Sequence, residues 1–302
     1  MVSSIRSLAL GAGIFLLVVG VTLTPAQGPK KVTVLRIGSS DSTGSAEKDS
    51  KEEAALKSLR EFIQEETGFA NEIISVKDGA TVARQLAEGK LHLGIFQGYE
   101  FAWARPDAKL QPLAVAVNVH RYREAYVLVN QASAVKDFAG LKGKSLALPK
   151  GAVGFIRLFA ERQSEAQLSA LAGYFSKVAE PENIEDALDE VVDKNVDAAV
   201  VDRVGLEAYR RRKPGRASEL REVAQSQPFP PSVVAFYQGG LDQATLQRFR
   251  DGLLGTHKKV KGQKLLSLFR VTAFELVPAD LDKVLEATRK TYPAPKLPAD
   301  GK

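Results

Sequence analysis

Polar residues follow four apolar runs along the chain, and these positions could together hold a small polar ligand. The runs are rich in β-branched and aliphatic residues, which predicts strands. Ligands of open α/β sheets bind beyond the carboxyl ends of the strands. Polar side chains at these positions can bind and orient a ligand there. The positions are Ser39, Ser40, Asp41, Gln97, Tyr99, Lys150 and Asp202.

One of these strand ends has the features of an anion site. A helical pattern begins at about Gly154, directly after the segment Lys150-Gly151-Ala152-Val153. The free backbone N–H groups and the dipole at a helix N-terminus favour an anion. Lys150 either adds positive charge to this site or points into solvent.

The other candidates also have purely structural interpretations, which stay open. The two serines and the aspartate after the first strand would equally form a solvated turn with a helix cap. Tyr99 would fit a packed core, and Asp202 could cap the helix that follows it. Arg121, together with His120, lies in a polar stretch where it could reach an anion or form a surface salt bridge.

Strands and helices alternate along most of the sequence. Apolar runs at 32–37, 73–76 and 91–96 are separated by segments with helical spacing, and a second set follows at 174–178 and 196–201. Strands that alternate with helices of this length indicate right-handed βαβ units and parallel sheets.

The alternation is interrupted twice, by the polar stretch 118–124 and by the proline-rich stretch 227–231. A chain that leaves one α/β lobe, builds a second and returns has two connections at one hinge, so a cleft can open and close. We therefore predict a two-lobed α/β fold with mainly parallel sheets flanked by helices. Lobe 1 is discontinuous and comprises 30–119 and 230–295, and lobe 2 comprises 120–229.

The motifs of enzymes and metal sites are missing from the sequence. It has no cysteine, and its 3 histidines lie in unrelated segments without metal-ligand spacing. Gly143-Lys144-Ser145 matches only the end of a phosphate-binding P-loop, because Phe138 stands where the first glycine is required. We expect no catalytic residue, metal or cofactor, although an enzymatic carboxylate pair stays open as a third alternative.

The position of the densest basic run argues against a nucleic-acid partner. The formal net charge is +6, which fits an anionic ligand or a negatively charged envelope surface. The densest basic run, Arg210-Arg211-Arg212-Lys213, precedes Pro214-Gly215 at a predicted helix end. Cations there offset the dipole of the last turn, so we interpret the run as a solvated helix end and expect no nucleic-acid binding.

The amino terminus has the order of parts of a secretory signal. Arg6 precedes an apolar run from Leu8 to Leu23, and small or turn-forming residues follow up to Ala26. We predict a signal peptide at residues 1–26 and export to the periplasm, with an uncleaved membrane anchor as the alternative. Residues 296–302 are expected to form a flexible tail.

Three segments carry a resemblance to a known family. They are Ala87-Glu88-Gly89-Lys90-Leu91-His92-Leu93-Gly94, Asp137-Phe138-Ala139-Gly140-Leu141-Lys142-Gly143-Lys144-Ser145-Leu146-Ala147 and Asn195-Val196-Asp197-Ala198-Ala199-Val200-Val201-Asp202. The sequence resembles the substrate-binding proteins of phosphate, phosphite and phosphonate ABC transporters, over about residues 32–292. This resemblance implies the type II periplasmic-binding fold.

The resemblance also implies roles for particular positions. Gln97 and Tyr99 would line the cleft, and Asp202 stands where the family often holds an acid that receives a ligand amine. The helix-opening turn usually carries Ser or Thr hydroxyls in the phosphonate-type proteins, whereas this sequence has Ala152 and Val153.

Two function classes follow from the sequence. In the first, a monomeric periplasmic protein captures a small anion, phosphonate-, phosphite- or phosphate-like, and delivers it to an ABC permease in the inner membrane. In the second, the same fold serves as a ligand sensor or interaction module without a transporter. An enzyme on the same fold is the third and least supported class.

Overall fold

The structure is a computed structural model that describes residues 32–40, 50–150, 154–167 and 169–295. The predicted signal peptide and the predicted tail lie outside the described residues. The strands are β1 (Val34–Ser40), β2 (Ala70–Val76), β3 (Leu93–Phe96), β4 (Leu110–Val117), β5 (Ala125–Asn130), β6 (Ser145–Ala147), β7 (Lys177–Ala179), β8 (Ala198–Asp202), β9 (Leu220–Gln225), β10 (Ser232–Tyr237) and β11 (Ala273–Glu275).

Helices connect most of these strands. They are α1 (Ser50–Thr67), α2 (Gly79–Ala87), α3 (Gly98–Ala104), α4 (Gly154–Ala166), α5 (Leu171–Tyr174), α6 (Ile184–Val192), α7 (Arg203–Arg212), α8 (Pro214–Ala217), α9 (Gln243–Gly255), α10 (Val260–Leu268) and α11 (Leu281–Thr291). None of these described helices is long and apolar enough to span a membrane.

The described strands form two sheets. The first has the order β11-β4-β10-β3-β1-β2 and the second has the order β7-β6-β8-β5-β9. Strands β1, β2 and β3 are parallel, and β10 is antiparallel to both of its neighbours, β3 and β4. In the second sheet β6 is parallel to β7 and β8, and β5 is antiparallel to β8 and β9. Most strands of each sheet therefore share one direction, and the predicted α/β fold is confirmed.

Helices cover both faces of each sheet with apolar side chains. Helices α1, α9 and α10 pack on one face of the first sheet, and α2, α3 and α11 pack on the other. Helices α4 and α5 cover one face of the second sheet, and α6 and α7 cover the opposite face. Strand β8 is apolar at four successive positions because both of its faces are buried, as expected for a parallel strand covered on two sides.

Some elements differ from the sequence prediction. The strand expected at 174–178 is Lys177–Ala179, because Tyr174 ends the short helix α5. Its hydroxyl donates to the carbonyl of Phe138 at 2.9 Å, a contact that no local pattern reveals. The segment after β3, expected as a loop, forms helix α3.

The chain passes between the two sheets at 118–124 and 226–231, because every strand from β5 to β9 lies in the second sheet. The two crossings are hydrogen-bonded to each other. The backbone N–H of Arg123 donates to Phe229 at 3.0 Å, and the N–H of Phe229 donates back to Arg123 at 2.8 Å. Gly98 packs against the second crossing so closely that a Cβ would lie 2.1 Å from the carbonyl oxygen of Pro230. Only glycine fits there.

Candidate ligand-binding site

A cavity of about 620 Å³ is lined by residues of both sheets and of the first crossing. This volume lies within the usual range of small-molecule sites. The polar part of its lining comes from strand ends and from the crossing. The polar side chains of the lining include Ser39, Gln97, Asn118, His120, Arg123, Glu124, Asp202, Arg203, Ser232 and Arg270.

Three neutral polar side chains form the wall contributed by the first sheet. Ser39 lies near the end of β1, Gln97 directly follows β3, and Ser232 begins β10. Because β10 runs antiparallel to β3, its first residues pair with the last residue of β3, as in the pair Val233 and Phe96. The three side chains therefore meet at one edge of the sheet, where they can exchange hydrogen bonds with a ligand.

Ser40 faces away from this wall. Side chains alternate along a strand, so Ser39 and Ser40 point to opposite faces of β1. The hydroxyl of Ser40 donates to Glu100 at 2.5 Å. Glu100 also accepts the backbone N–H groups of Gly79 at 3.1 Å and of Gln97 at 3.2 Å. Burial raises the pKa of the Glu100 carboxyl, although these hydrogen bonds oppose the shift. This carboxyl ties together the ends of β1, β3 and the start of α2.

Arg123 brings a cation into the cavity. Its guanidinium donates to the amide oxygen of Gln97 at 3.3 Å and to the hydroxyl of Ser232 at 3.1 Å. It also lies over the Phe155 ring, 5.9 Å from the centroid. Burial lowers the pKa of Arg123, and the charge of Asp202 opposes this shift. Neither of its two hydrogen-bond partners is a carboxylate, and no ion pair among the described residues neutralises the guanidinium.

Asp202 lies at the end of β8 and lines the same cavity. Its carboxyl caps α7 by accepting the backbone N–H of Gly205 at 2.6 Å. Burial raises the pKa of Asp202, against the effects of this hydrogen bond and of the charges on Arg123 and Arg270. Asp202 therefore has a structural role as a cap while its carboxyl still contributes to the electrostatics of the cavity.

Two other basic side chains of the lining, His120 and Arg203, lie beside carboxylates. His120 lies 2.9 Å from Glu207, and Arg203 binds Glu207 at 2.9 Å and Glu124 at 3.2 Å. The hydrogen bonds from His120 and Arg203 lower the pKa of the Glu207 carboxyl. The charges in this network largely compensate one another, which distinguishes it from the guanidinium of Arg123.

Arg270 stands at the exposed side of the cavity in an unusual backbone conformation. Its φ angle is 51°, in the left-handed region that favours glycine. It ends α10, where the N–H of Val271 donates to Leu266 at 3.0 Å and the N–H of Arg270 donates to Ser267 at 3.2 Å. This is the Schellman pattern, in which glycine is the usual residue at the left-handed position. The arginine thus adds a cation to the cavity at a conformational cost.

The polar groups of the cavity can bind an anion. Arginine guanidinium, amide and hydroxyl groups can surround an anionic oxygen cluster with charge-assisted hydrogen bonds. Within the described ranges, no group of three or more His, Asp or Glu residues could hold a metal ion.

A protein-family model matches most of the chain that forms this cavity. The model for the periplasmic substrate-binding protein of phosphonate ABC transporters matches residues 44–282, most of the chain. The chain belongs to this family. The resemblance stated from the sequence segments is therefore confirmed, as is the function class of a periplasmic binding protein that serves an ABC transporter.

Solved structures share the fold of this binding protein at low sequence identity. XAC2383 from Xanthomonas citri, solved bound to ATP, has a TM-score of 0.61 at 18% identity, with 86% of this chain and 97% of that chain covered. A binding protein component of an ABC phosphonate transporter from Pseudomonas aeruginosa has a TM-score of 0.55 at 16% identity, covering 85% and 87% of the two chains.

A third neighbour is PhnD1 from Prochlorococcus marinus, solved in complex with methylphosphonate. Its TM-score is 0.54 at 14% identity, and the match covers 85% of this chain and 97% of that chain. No curated protein matches the sequence of the chain. At these identities the neighbours establish the fold of the binding protein and leave its ligand to be argued from its own residues.

The structure places three of the predicted site residues of the binding protein in the cavity lining. They are Ser39, Gln97 and Asp202. Asp202 also has the capping role that was its structural alternative. Asp41, Gly151, Ala152 and Val153 lie outside the described residues.

The remaining predicted residues have other surroundings. Ser40 binds Glu100, and Tyr99 is buried against the second-sheet cluster, with its ring 5.0 Å from Trp103. The Tyr99 hydroxyl lies beside Gly154, where α4 begins, 2.2 Å from the position of an added Cβ.

Two predicted cations are exposed and paired with carboxylates. Arg121 binds Glu275 at 2.7 Å, and the ammonium group of Lys150 contacts Glu182. Neither belongs to the described cavity lining. Their role as ligand contacts stays a prediction.

Sequence reasoning missed Arg123, Ser232 and Arg270. Arg123 lies two residues from the chosen Arg121 in the same polar stretch. A usable signal was the position of this basic residue two places before a strongly apolar strand. For Ser232 and Arg270 no local signal existed, because their place in the cavity depends on strand pairing and on the end of α10.

Proposed function

We propose that this binding protein captures a small phosphonate-type anion in the cavity and releases it to the permease of its transporter. The observation that carries the proposal is the guanidinium of Arg123, held inside the cavity by Gln97 and Ser232 and without a carboxylate partner among the described residues. An anion that entered the cavity would replace water around this cation and form charge-assisted hydrogen bonds to it.

The remaining polar groups would complete the shell of the anion. Ser39 supplies a hydroxyl from the first sheet, and Arg270 supplies a second cation from the exposed side. Asp202 would receive a cationic group of the ligand if it has one, because its carboxyl faces the same space. A ligand held by groups from both sheets favours the closed arrangement of two lobes, 30–119 with 230–295 on one side and 120–229 on the other.

Similar proteins support an anionic ligand class. PhnD1 was solved in complex with methylphosphonate, and XAC2383 was solved with ATP and with a chloride ion. For this protein we further propose a monomer, exported by the segment 1–26, that binds its ligand without chemical change. The ligand is then passed on intact, so no catalytic group is required.

A thermal denaturation panel tests the proposal. The purified protein would be heated with phosphate, phosphite, methylphosphonate, methanesulfonate, acetate and several amino acids, with uncharged dimethyl methylphosphonate as the control. A ligand at about 100 times its Kd adds roughly 2.7 kcal/mol to the free energy of unfolding. We expect a selective rise in Tm with a phosphonate-type anion and none with the uncharged ester. Equal shifts with the ester, or no shift with any anion, would refute the proposed ligand class.

A further inference from the structure

The cavity extends beyond its polar end into an apolar chamber inside the first-sheet side of the molecule. We define the chamber by fourteen of the apolar residues that line the cavity. These residues are Ile37, Leu56, Leu59, Ile63, Ile73, Ile95, Val234, Phe249, Leu253, Leu265, Leu266, Phe269, Val271 and Phe274. They come from one face of the first sheet, from α1, α9 and α10, and from the segment that leads into β11.

The change from polar to apolar lining follows strand geometry. On each of three adjacent strands, the polar residue at the cavity edge has an apolar residue two positions further along the same face. Two residues of a strand span roughly 6.6 Å, so along each strand this distance separates the polar residue from the apolar one. The pairs are Ser39 with Ile37, Gln97 with Ile95, and Ser232 with Val234.

The register of the sheet sets the polar and apolar residues obliquely across the strands, so that Ser39 lies level with Ile95 and Val234. The helices that face these strands present buried leucine, isoleucine and phenylalanine side chains, among them Ile63 and Leu253. Among the described polar residues of the lining, Arg270 stands next to the chamber, between Phe269 and Val271. The other polar groups lie at the strand ends, at the start of α7 and in the first crossing.

The volume exceeds what a one-carbon phosphonate needs. The volume of about 620 Å³, which includes the polar end, lies within the range of sites for drug-sized ligands. Protein cores contain few voids larger than one water molecule. A cavity of this size with a cationic end and an apolar end therefore matches a ligand that is itself divided into two such parts.

We propose that the ligand is an amphiphilic anion, with its oxyanion head at Arg123 and an apolar tail in the chamber between the first sheet and helices α1, α9 and α10. This inference rests on the proposed function for the head group and adds the tail. Burying each further methylene of the tail should strengthen binding until the chamber is filled.

Calorimetric titration of alkylphosphonates of increasing length tests the proposal. The series would run from methyl through butyl, hexyl and octyl to decyl, at concentrations below aggregation. Each methylene should improve Kd about fourfold, as burial of apolar surface predicts, up to an optimum length. The heat capacity change of binding should become more negative with each methylene up to that optimum. A Kd independent of chain length, or one that worsens from methyl to butyl, would overturn the chamber proposal.

Two variants locate the tail, and a third is their matched control. Leu265→Ala and the milder Leu265→Val enlarge the chamber and should move the optimum to a longer chain. Leu285→Ala removes an equally buried leucine on α11, against the other face of the first sheet and outside the cavity lining. This control should keep the optimum of the original protein. The same optimum in all variants would place the tail elsewhere and overturn the assignment to this chamber.

Alkyl carboxylates and sulfonates of matched lengths separate the two proposals. If phosphonates bind with one Kd at every length, the proposed function stands and the chamber proposal fails. If only carboxylates bind and their Kd improves with length, the chamber proposal stands and the phosphonate head is wrong. If no anion of any length binds, both proposals are wrong.

Discussion

Arg123 and the basic run at the end of α7 carry the same kind of charge in opposite environments. Arg123 is enclosed by the cavity, with an amide, a hydroxyl and an aromatic ring around it. The basic side chains at 210–216 lie at the surface, and four of them have carboxylate partners. Their pairs are Arg210–Glu222, Arg212–Glu185, Lys213–Asp189 and Arg216–Asp189.

This contrast shows that desolvation, and not the number of charges, decides which cation can select an anion. An exposed ion pair contributes little because water and salt screen it. A guanidinium held among neutral dipoles keeps its attraction for an incoming anion. The densest basic segment of the sequence is thus a helix end, as expected, whereas a single arginine at the crossing is the candidate for binding.

The largest expected effect is the loss of ligand affinity in Arg123→Met, which keeps the apolar stem and removes the charge. Affinity for methylphosphonate, measured by calorimetry, should fall about 100-fold, or roughly 2.7 kcal/mol, because a buried charged contact is lost. Arg212→Met is the matched control at the surface and should leave Kd unchanged. Equal losses in the two variants would contradict the distinction between the two regions.

The second effect concerns the free energy of unfolding and belongs to the basic run. Asp189 accepts hydrogen bonds from Tyr209 at 2.7 Å and from Lys213 and Arg216 at 2.6 Å each. Asp189→Asn should lower the free energy of unfolding by about 2 kcal/mol at neutral pH, measured by urea denaturation. Ligand affinity should not change.

The same substitution has a defined pH dependence. Burial raises the pKa of Asp189, but the hydrogen bonds from Lys213, Tyr209 and Arg216 outweigh it and hold the pKa below its ordinary value of 3.8. A lowered folded-state pKa contributes stability above the unfolded-state pKa, and this stability is lost as pH falls through the folded-state value. The difference between the original protein and Asp189→Asn should therefore shrink below about pH 4. A difference that stays constant down to pH 2 would contradict this explanation.

The third prediction tests the negative charge beside Arg123. Asp202→Asn keeps a good capping residue for α7 and removes the charge. Affinity for methylphosphonate should rise about fivefold, roughly 1 kcal/mol, because a repulsion is removed. Affinity for an aminoalkylphosphonate should fall, because its ammonium group loses a partner. Opposite changes for the two ligands support the arrangement, and parallel changes would assign Asp202 to capping alone.

The pH dependence of the Asp202 effect provides a second test. Burial raises the pKa of Asp202, so its carboxyl becomes neutral at a higher pH than an exposed one. The ratio of methylphosphonate affinities between Asp202→Asn and the original protein should therefore approach one as pH falls through this raised value. The ratio cancels the titration of the ligand itself, which affects both proteins equally.

The sequence predicted which segments line the candidate site more reliably than the direction of each side chain. The first strand was expected to end at Ile37, which left both serines in a loop. In the structure β1 continues to Ser40, so alternation sends Ser39 to the cavity and Ser40 to Glu100. These further residues of β1 could not be recognised from the sequence, because the segment contains Gly38 and polar residues. The strand is formed there by hydrogen bonds to β2 and β3.

Contacts between distant segments explain the other differences. Arg123 enters the cavity because the crossing pairs with Phe229 and places the guanidinium beside Ser232, both more than 100 positions away in the chain. Tyr99 turns towards the second sheet because the segment after β3 forms a helix stabilised by Glu100. Local periodicity carries no information about such pairings, whereas the alternation of strands and helices was sufficient for the fold class.

The smallest expected effect is at Arg270, the exposed cation of the cavity. Arg270→Gly relieves the left-handed backbone conformation at the end of α10, so the free energy of unfolding should rise by about 0.5–1 kcal/mol. Affinity for methylphosphonate should fall only about threefold, because water screens an exposed charge. Arg270→Asn is the control, since asparagine tolerates the left-handed region but also lacks the charge. Both variants should lose the same affinity, and glycine should give the greater stability. A loss as large as that of Arg123→Met would mean that exposure does not separate the two arginines, and the comparison between enclosed and exposed cations would fail.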